Sequence, residues 1–511
     1  MSIRYGKDVT LYVRPVYIDF THEYVYEGPC RFGSGDELTP EYDRMQSEEM
    51  YQRFVTNVKN HLPAGVEMLS PIRVQQQTDD FRVHEEDLQA ICKGMEDTDF
   101  YFVSTGGRCN DMVIDFARLC KKPIACMAGT IATTIVTTAL KARGFEAYAF
   151  LTWAEAEEQL KILRVRKVLA NTRILTVNRW GGNVSYVSAM DSFIDLEHIT
   201  EKLGVRFRSL NLHELLDQSH CVDPASNPTT PGRVQPNINE ADLIEIGRLT
   251  DEFISGAEEC TMDRQYVFNS MKIYYLIKKE LDYYDCSAFT APCPDACATR
   301  RLNEEKFTFC WAHALLNEEG IPSACELDLD SVVSKVVLSS VANKPTYMGN
   351  NTRILDNDGK LGLPELRFVP AEEYEAVRDI PNLMVSFHSV PNRKMHGYDT
   401  KPAPYAIRPF AYSGWGATMR YDFNRDIGQP ITLLRFSPRC DKMFVGKGII
   451  KGGIGYNNMS CSLGLWYQVA DAKDFTKKQM QFGNHLPLVF GDYSNELLAL
   501  GEALGIEVVT A

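Results

Sequence analysis

The sequence predicts an α/β protein made of two doubly wound domains followed by a β-rich third domain. Segments of strand and helix character alternate over the first part of the 511 residues, which is typical of parallel sheets covered by helices. After about residue 345 the apolar segments become short, β-branched or aromatic, and are separated by Gly, Pro and Asn turns. That pattern indicates an antiparallel sheet or barrel. We place the three domains at residues 1–168, 169–345 and 346–511.

The first domain alternates regularly between the two kinds of segment. The predicted strands are "DVTLYVRPVY" (8–17), "GVEMLSPI" (65–72), "DTDFYFVSTGG" (97–107) and "KPIACMAG" (122–129). The predicted helices are "SEEMYQRFVTNVKNHL" (47–62), "HEEDLQAICKGM" (84–95) and "CNDMVIDFARLC" (109–120). Because crossovers between parallel strands are right-handed, this order predicts helices on both faces of one sheet.

The same alternation restarts near residue 170. "NTRILTVNRWGG" (171–182) reads as a strand and turn, "DLEHITEKLG" (195–204) as a helix, and "VRFRSLNL" (205–212) as the next strand. Residues 221–240 are rich in Pro, Asn, Thr and Gly and can form neither a helix nor a central strand. This stretch is either a functional loop or a flexible insertion.

The third domain is predicted from short β segments. They are "PELRFVP" (364–370), "NLMVSFHSV" (382–390), "ATMRYDF" (417–423), "PITLLRFS" (430–437), "KMFVGKGIIKGG" (442–453) and "LGLWYQVA" (463–470). The segment at residues 492–509 then predicts a helix and a last strand.

Composition excludes several classes of function. The formal net charge of −14 argues against a nucleic-acid partner, which requires a basic face. No apolar run is long enough to span a bilayer, so we expect no membrane association. The first residues lack the apolar core of a secretory signal, and the fourteen cysteines are scattered along the chain. We therefore expect reduced thiols and a cytoplasmic location.

Residues 320–351 read as strand, helix, strand, with Glu326 where the first strand meets the helix. The helix predicted at residues 328–343 would be roughly 24 Å long, enough to return the chain for a parallel strand. Glu326 and Asn350 would then share the carboxyl edge of one sheet, where such sheets bind ligands. Glu326 either serves that function or only complements the helix N-terminus.

Several segments resemble the L-fucose isomerase and L-arabinose isomerase superfamily. "AHALLNEEGIPSACELDLDSVV" (312–333) is similar to its segment with a metal-binding glutamate, and the segment beginning "GNHLPLVF" (483–507) to its GNH motif. "NLMVSFHSVPN" (382–392) is similar to its middle histidine motif. "SGWGATMRYDF" (413–423) with "PITLLRFS" is similar to its barrel core, and "AEEQLKILRVRKVLANTRILTV" (156–177) to the start of its second domain.

The resemblance implies two Rossmann-like domains followed by a C-terminal antiparallel β-barrel domain. It implies a homo-oligomer, trimer or hexamer, with active sites between subunits and a monosaccharide as substrate. It also implies a divalent metal, most often Mn²⁺ with Mg²⁺ or Co²⁺ as alternatives. The implied activity is an intramolecular oxidoreduction that interconverts an aldose and a ketose through an enediol(ate).

Carried over residue by residue, the resemblance assigns roles to four side chains. Glu326 matches the catalytic glutamate that binds metal and moves a proton. His485 matches the ligand histidine of the GNH motif, and Asn484 matches its substrate-contacting neighbour. His388 matches the histidine of the middle motif, a further metal ligand.

Asn350 departs from the pattern, because the family has there an aspartate that is both a metal ligand and the second acid/base. Its amide oxygen can still bind a hard cation, but it cannot carry a proton. The second proton-transfer role has therefore moved, to a water, Asp356 or Asp358, or the chemistry differs from fucose isomerisation.

Some other motifs give weaker evidence for a functional site. "STGGRCND" (104–111) lacks the G-x-G-x-x-G spacing of a dinucleotide site, and the resemblance makes Thr105 a candidate substrate contact. Trp415 and Tyr412 could stack on a sugar or serve as ordinary barrel aromatics. His313 lies in a helical pattern and is expected to be a core histidine.

Three further cysteines, Cys286, Cys293 and Cys297, raise the alternative of a thiolate metal site. No C-x-x-C pair occurs among them, and free buried cysteine is commoner, so we favour unligated thiols.

The sequence therefore predicts a metal-dependent ketol isomerase. Because Asn350 replaces the family's aspartate, two alternatives stay open. One is a metal-dependent epimerase or lyase acting on a modified sugar, and the other is a sugar-binding protein without turnover.

Overall fold

The computed structural model describes residues 5–28, 33–77, 84–105, 110–127, 130–179, 189–220, 237–353, 371–388 and 390–511. The chain forms two compact units. One is Val9–Arg164, and the other is Val165–Ala511 together with the start of the chain up to Asp8. The predicted boundary at residue 345 stays a prediction.

The unit Val9–Arg164 is built on one six-stranded parallel sheet, in which β2, β1, β4, β5 and β6 are neighbours in that order and β3 also pairs with β1. Its strands are β1 (Leu11–Thr21), β2 (Val66–Met68), β3 (Ile72–Gln77), β4 (Phe100–Thr105), β5 (Ile124–Met127) and β6 (Ala147–Phe150). Its helices are α1 (Pro40–Asn60), α2 (Glu85–Cys92), α3 (Asn110–Cys120), α4 (Ile131–Lys141) and α5 (Trp153–Asn171), the last of which runs on beyond Arg164.

Successive side chains of the central strand β4 pack against helices on opposite sides of this sheet, so helices cover both of its faces. Phe100 and Phe102 pack into the apolar cluster that contains residues of α1 and α5, whereas Tyr101 and Val103 pack with α2, α3 and α4. The prediction of a parallel sheet with helices on both faces is confirmed here. Two strands replace the single one predicted at 65–72, because Pro71 interrupts the segment.

The unit that contains Val165–Ala511, called the second unit below, has another parallel sheet, with the order β11, β10, β7, β8. Strands in this part are β7 (Arg173–Asn178), β8 (Arg206–Asn211), β9 (Glu259–Cys260), β10 (Ala288–Ala291) and β11 (Ser323–Cys325). Helices here are α6 (Leu196–Leu203), α7 (Leu212–Asp217), α8 (Glu240–Gly256), α9 (Arg264–Tyr283), α10 (Cys293–Ala298), α11 (Arg301–Glu305), α12 (Phe309–Glu318) and α13 (Leu329–Ala342).

The last part of the chain forms a closed antiparallel barrel. The strands of this part of the chain are β12 (Tyr347–Arg353), β13 (Leu383–Phe387), β14 (Tyr405–Pro409), β15 (Ala417–Tyr421), β16 (Pro430–Phe436), β17 (Lys442–Ile454), β18 (Gly464–Gln468), β19 (His485–Phe490) and β20 (Glu507–Thr510). Six of them close in the order β16, β19, β12, β13, β18, β17 and back to β16, and β20 adds to β17 in parallel. Helices α14 (Ala371–Glu375), α15 (Ala472–Gln479) and α16 (Ser494–Leu504) accompany the barrel.

The prediction that β15 belongs to the barrel core is wrong. Strands β14 and β15 form a separate three-stranded sheet with β9, which comes from residues before α9. Alternating burial favours a strand but does not reveal its partners, because pairing across a sheet is a long-range choice.

The prediction that β11, α13 and β12 form a parallel βαβ unit is also wrong. β12 pairs antiparallel with β13 and β19 inside the barrel. The physical reason is the burial of α13, which packs against β10 and β11 on one side and against β16 and β19 on the other. The chain leaving α13 therefore enters the barrel, and Asn350 lies within a barrel strand rather than at the edge of the parallel sheet.

Four predicted features lie outside the described residues: the glycine turn at 106–107, the turn at 180–182, residues 221–236 of the long loop, and the strand at 364–370. Within the described residues, no helix has the length and apolar character needed to cross a membrane.

Candidate metal centre

Glu326 lies in the tight turn between β11 and α13. Its φ is 63° and that of Leu327 is 54°, a left-handed conformation that non-glycine residues rarely adopt. The turn is held by the Leu327 N–H, which donates to the Ala291 carbonyl at 3.1 Å, and by the Asp328 N–H, which donates to Cys325 at 3.3 Å. Residues in such conformations persist only where the surroundings hold them, and they concentrate at functional sites.

Two histidines from distant barrel segments meet the Glu326 carboxylate. His388 follows β13, and its Nε2 lies 3.3 Å from Glu326 Oε1. His485 opens β19, and its Nε2 lies 3.7 Å from Glu326 Oε2. The ligand atoms of the three residues all lie within 4.8 Å of one another. The structure thus brings together three of the four side chains predicted to bind metal, Glu326, His388 and His485, of which Glu326 is also the predicted catalytic residue.

The chemistry of this cluster fits a divalent cation. His485 Nε2 is buried and has no hydrogen-bond partner in the described part of the chain, so its lone pair is available. A carboxylate with two imidazoles is an ordinary donor set for a divalent transition metal, with ligand bonds of about 2.0–2.2 Å. Glu326, with 34% of its side chain exposed, leaves the cluster open on one side. The three side chains could therefore hold a metal ion and leave room for a ligand.

A second layer of side chains orients His485. Asp328, which is fully buried, has Oδ2 3.0 Å from His485 Nδ1 and also accepts a 2.7 Å bond from Arg435 Nη1. Because an ionised carboxylate only accepts, the single proton of a neutral His485 ring must sit on Nδ1, which leaves Nε2 free to bind a cation. Ser331 donates to the same oxygen at 2.8 Å.

The charges of this network shift the pKa of its members. Burial alone would raise the pKa of Asp328, but the Arg435 charge and the His485 hydrogen bond hold it well below its usual value. Burial likewise opposes ionisation of Glu326, yet the nearby His388 and His485 lower its pKa to about 2. For His485 the Asp328 hydrogen bond outweighs burial and raises the pKa. Both carboxylates are therefore ionised acceptors.

Asn350 lies beside His485 in the barrel. The two residues are direct cross-strand partners of β12 and β19, so their side chains point to the same face. Asn350 Oδ1 accepts a 2.6 Å bond from Asn484 Nδ2, and the Asn484 carbonyl accepts from the Asn351 N–H. Asn350 and Asn484 thus sit next to the cluster, where their assigned roles in metal and substrate binding stay predictions.

Other sequence candidates belong to other elements of the fold. Trp415 is in the turn between β14 and β15, where its ring stands edge-on to Phe410 at 6.0 Å. Tyr412 is exposed in the same turn. Thr105 ends β4 in the other unit. Roles of these residues in sugar binding stay predictions, and Asp356 and Asp358 are outside the described residues.

His313 is a buried core residue, as expected, and its Nδ1 lies 2.7 Å from Ser323 Oγ. Cys286, Cys293 and Cys297 are free thiols and do not form a metal-binding group among the described residues.

Sequence reasoning missed three residues of this region: the orienting role of Asp328, the buried Arg435, and Asp191 beside the GNH motif. A signal existed for Arg435, which is a lone charge inside the apolar run "ITLLRFS". Such a charge in a barrel strand needs buried acidic partners. Nothing in the sequence around Asp191 indicated its position.

Comparisons with protein-family models and with curated proteins found no match to this chain.

Proposed function

We propose that this protein is a metal-dependent aldose–ketose isomerase acting on a monosaccharide through an enediol. The observation that carries the proposal is the convergence of Glu326, His388 and His485 from three distant segments of the chain. The resemblance of those same segments to the L-fucose and L-arabinose isomerase superfamily supports it. A site built from these residue types at this spacing suits cation binding and proton transfer together.

Each side chain has a distinct task in this proposal. His388 and His485 hold the cation through Nε2, and Asp328 keeps the His485 ring in the required tautomer. Glu326 moves the proton between C2 and C1, a role that fits a carboxylate at the exposed side of the cluster. A bound divalent ion, Mn²⁺ by preference with Mg²⁺ or Co²⁺ as alternatives, would polarise the sugar carbonyl and stabilise the developing oxyanion.

The asparagine at position 350 favours a second candidate function, that of a metal-dependent epimerase or lyase. It lies beside His485 where a second acid/base is expected, and an amide cannot transfer a proton. A metal-dependent epimerase or lyase acting on a modified sugar would place different demands on that position. A sugar-binding protein without turnover is a third outcome of the same test.

The test is solvent deuterium incorporation. Purified protein loaded with Mn²⁺ is incubated in D₂O with a panel of aldoses and ketoses, and the products are followed by NMR. An isomerase places deuterium at C1 or C2 of the interconverted sugars. Epimerisation shows exchange with inverted configuration, a lyase releases fragments, and a binding protein shows no exchange.

Glu326→Gln is the decisive variant, with Glu502→Gln as control because Glu502 is an exposed glutamate on α16. We expect Glu326→Gln to abolish exchange while the unfolding midpoint stays within a few degrees of the parent protein. Exchange that survives in Glu326→Gln would remove the glutamate from the proton-transfer step.

We further propose that the active form is a homo-oligomer, a trimer or hexamer with active sites between subunits. Support comes from the resemblance. Native mass spectrometry gives the oligomeric state directly, and a monomer that is fully active would contradict the proposal.

A further inference from the structure

Two cysteine thiols meet next to the turn that carries Glu326. Cys325 ends β11 and immediately precedes Glu326, and Cys293 opens α10 shortly after β10 ends. The parallel pairing of β10 with β11 places Ala291 beside Cys325. The Cys325 thiol is hydrogen-bonded to the Cys293 thiol. The two sulfur atoms are therefore direct neighbours although they belong to different elements of the fold.

Two further cysteines lie around this pair. Cys310 from α12 and Cys461 from the connection between β17 and β18 are both close enough to Cys293 for an electrostatic interaction. All four residues are free cysteines. Among the residues that the structure describes, these thiols do not form a metal-binding group, because a group of three would need its ligand atoms nearer together. Contact between two free thiols points to redox chemistry instead.

The two thiols of the pair differ in access to solvent. Cys293 is partly buried, whereas Cys325 is 1% exposed. A small oxidant such as hydrogen peroxide therefore meets Cys293 first. A thiol that an oxidant can reach, in contact with a second thiol, is the arrangement of a redox-sensing pair. In such a pair the second thiol converts the first oxidation product into a disulfide.

The reaction consumes one hydrogen peroxide for each disulfide. The Cys293 thiolate attacks the peroxide, so that an S–O bond forms, the O–O bond breaks, and the leaving hydroxide takes up the thiol proton as water. The Cys325 sulfur then attacks the sulfenic acid at Cys293. The S–S bond forms, the S–O bond breaks, and the leaving hydroxide takes the Cys325 proton as a second water. The two sulfur atoms lose two electrons, which reduce the peroxide, and a dithiol reductant reverses the change by exchange.

The turn that carries Glu326 is fastened to the same two strands as the thiols. The Leu327 N–H donates to the Ala291 carbonyl at 3.1 Å, and the Asp328 N–H donates to the Cys325 carbonyl at 3.3 Å. Glu326 and Leu327 both have a left-handed backbone, which persists only where neighbouring groups hold it. A movement of Cys325 relative to β10 is therefore passed on to Glu326.

Disulfide formation requires such a movement. Bonded sulfur atoms are about 2.05 Å apart, whereas non-bonded heavy atoms rest at about 3.5–4 Å. Closing that gap draws Cys293 and Cys325 together by roughly 1.5–2 Å. Metal–ligand distances vary by only about 0.2 Å around their preferred values. A fraction of this movement at the Glu326 carboxylate is therefore enough to weaken a bound cation.

We propose that Cys293 and Cys325 form a reversible disulfide that lowers the affinity of the candidate metal centre for its cation. The pair is a modification site for peroxides, and it couples the supply of oxidant to the occupancy of the metal centre. The inference rests on the cation site of the proposed function. It does not depend on the identity of the sugar or on the isomerisation step.

The test compares the parent protein with Cys293→Ser and Cys297→Ser. Cys297 lies later on the same helix and is exposed, so its replacement removes an accessible thiol and leaves the pair intact. Each protein is reduced, treated with a slight excess of hydrogen peroxide and desalted. Disulfides are mapped by mass spectrometry of unreduced peptides. Mn²⁺ affinity is measured by calorimetric titration before oxidation, after oxidation, and again after dithiothreitol.

We expect the oxidised parent protein to yield peptides joined through Cys293 and Cys325 and to bind Mn²⁺ at least about tenfold more weakly than the reduced protein. Dithiothreitol should restore the affinity. Cys297→Ser should behave as the parent protein does, whereas Cys293→Ser should keep the affinity of the reduced state after oxidation. Mapping and titration of the parent protein test the proposal even if a variant does not fold.

Three results would overturn the inference and leave the proposed function intact. They are the absence of a Cys293–Cys325 linkage after oxidation, a linkage of Cys293 to Cys310 or Cys461 instead, and the expected linkage with unchanged Mn²⁺ affinity. A reduced parent protein that binds no Mn²⁺ would overturn the cation site itself, and with it both the inference and the proposed function.

Discussion

Replacing Asp328 by asparagine tests whether the buried charge network holds the second unit together. Asp328 and Arg435 are both fully buried, and the ion pair between Oδ2 and Nη1 is 2.7 Å long. Asparagine has nearly the same volume as aspartate but no charge. Arg435 then keeps only the longer contacts with the carboxylates of Asp330 and Asp191. Removing one partner of a buried pair costs about 3–5 kcal/mol of unfolding free energy. That loss corresponds to a midpoint lowered by roughly 5–10 °C.

Asp330→Asn is the matched control, since this aspartate is also fully buried and lies two residues further along. Burial raises the pKa of Asp330 well above its usual value, with the Asp328 charge acting in the same direction against Arg435, whereas the pKa of Asp328 is lowered, so Asp330 carries negative charge less readily than Asp328. Its Oδ1 accepts from the Phe436 N–H and from Ser334, and asparagine offers the same acceptor. We expect a cost below about 1 kcal/mol.

The measurements are thermal and urea unfolding of both variants, followed by titration with Mn²⁺. Asp328→Asn should also weaken Mn²⁺ binding about 10- to 100-fold, because the His485 ring loses the acceptor that fixes its tautomer. Equal destabilisation by the two variants would refute the reasoning, since the charge of Asp328 would then not be what Arg435 requires.

Three further predictions concern the pH dependence of stability, the effect of a carboxylate at position 350 on Mn²⁺ affinity, and the steric cost of replacing a glycine. Burial raises the pKa of Glu280 to about 8, aided by Glu214, so the folded state binds a proton that the unfolded state has lost above about pH 4.5. The free energy of unfolding should therefore fall as pH rises from about 4.5 to 8, by up to about 1.4 kcal/mol per pH unit. Glu280→Gln lacks this carboxyl, so its unfolding free energy should not show that loss. Urea unfolding of both proteins at several pH values measures the difference. Asn350→Asp should tighten Mn²⁺ binding in a calorimetric titration with little change in stability, and an unchanged affinity and pH profile would place that side chain away from the cation. Gly464→Ala should cost about 3 kcal/mol in thermal unfolding, because a Cβ there would overlap the backbone of the neighbouring strand β13, whereas Gly428→Ala should cost only about 1 kcal/mol since its Cβ meets open space.

Local sequence patterns were sufficient to predict individual helices and strands. The helix predicted at 328–343 is observed as α13, and the strand at 382–390 is observed as β13, because hydrophobic periodicity reports which face of a segment is buried. The same periodicity did not reveal that α13 is buried on nearly all sides. Lys335 and Ser334 are as inaccessible as Val333, although their polarity marks them as solvent-facing in an amphipathic helix.

Candidate site residues were predictable only in part. Glu326, His388 and His485 could be named from their motifs, and the structure brings them together. Asp191 and Arg435 could not be assigned to the site, because their contacts with it join residues separated by roughly fifty to three hundred positions. No local pattern encodes such a distance.

By itself, the sequence determined the alternation of helices and strands, the change to β structure after about residue 345, and the side chains able to bind a cation. Only the tertiary structure decided that β12 joins the barrel antiparallel and that Asp328, Arg435 and Asp191 surround the GNH motif. The physical reason is that periodicity records burial, which each segment carries in its own composition. Strand pairing and buried ion pairs depend instead on which distant segments share the same interior, and that is settled only when the whole unit packs.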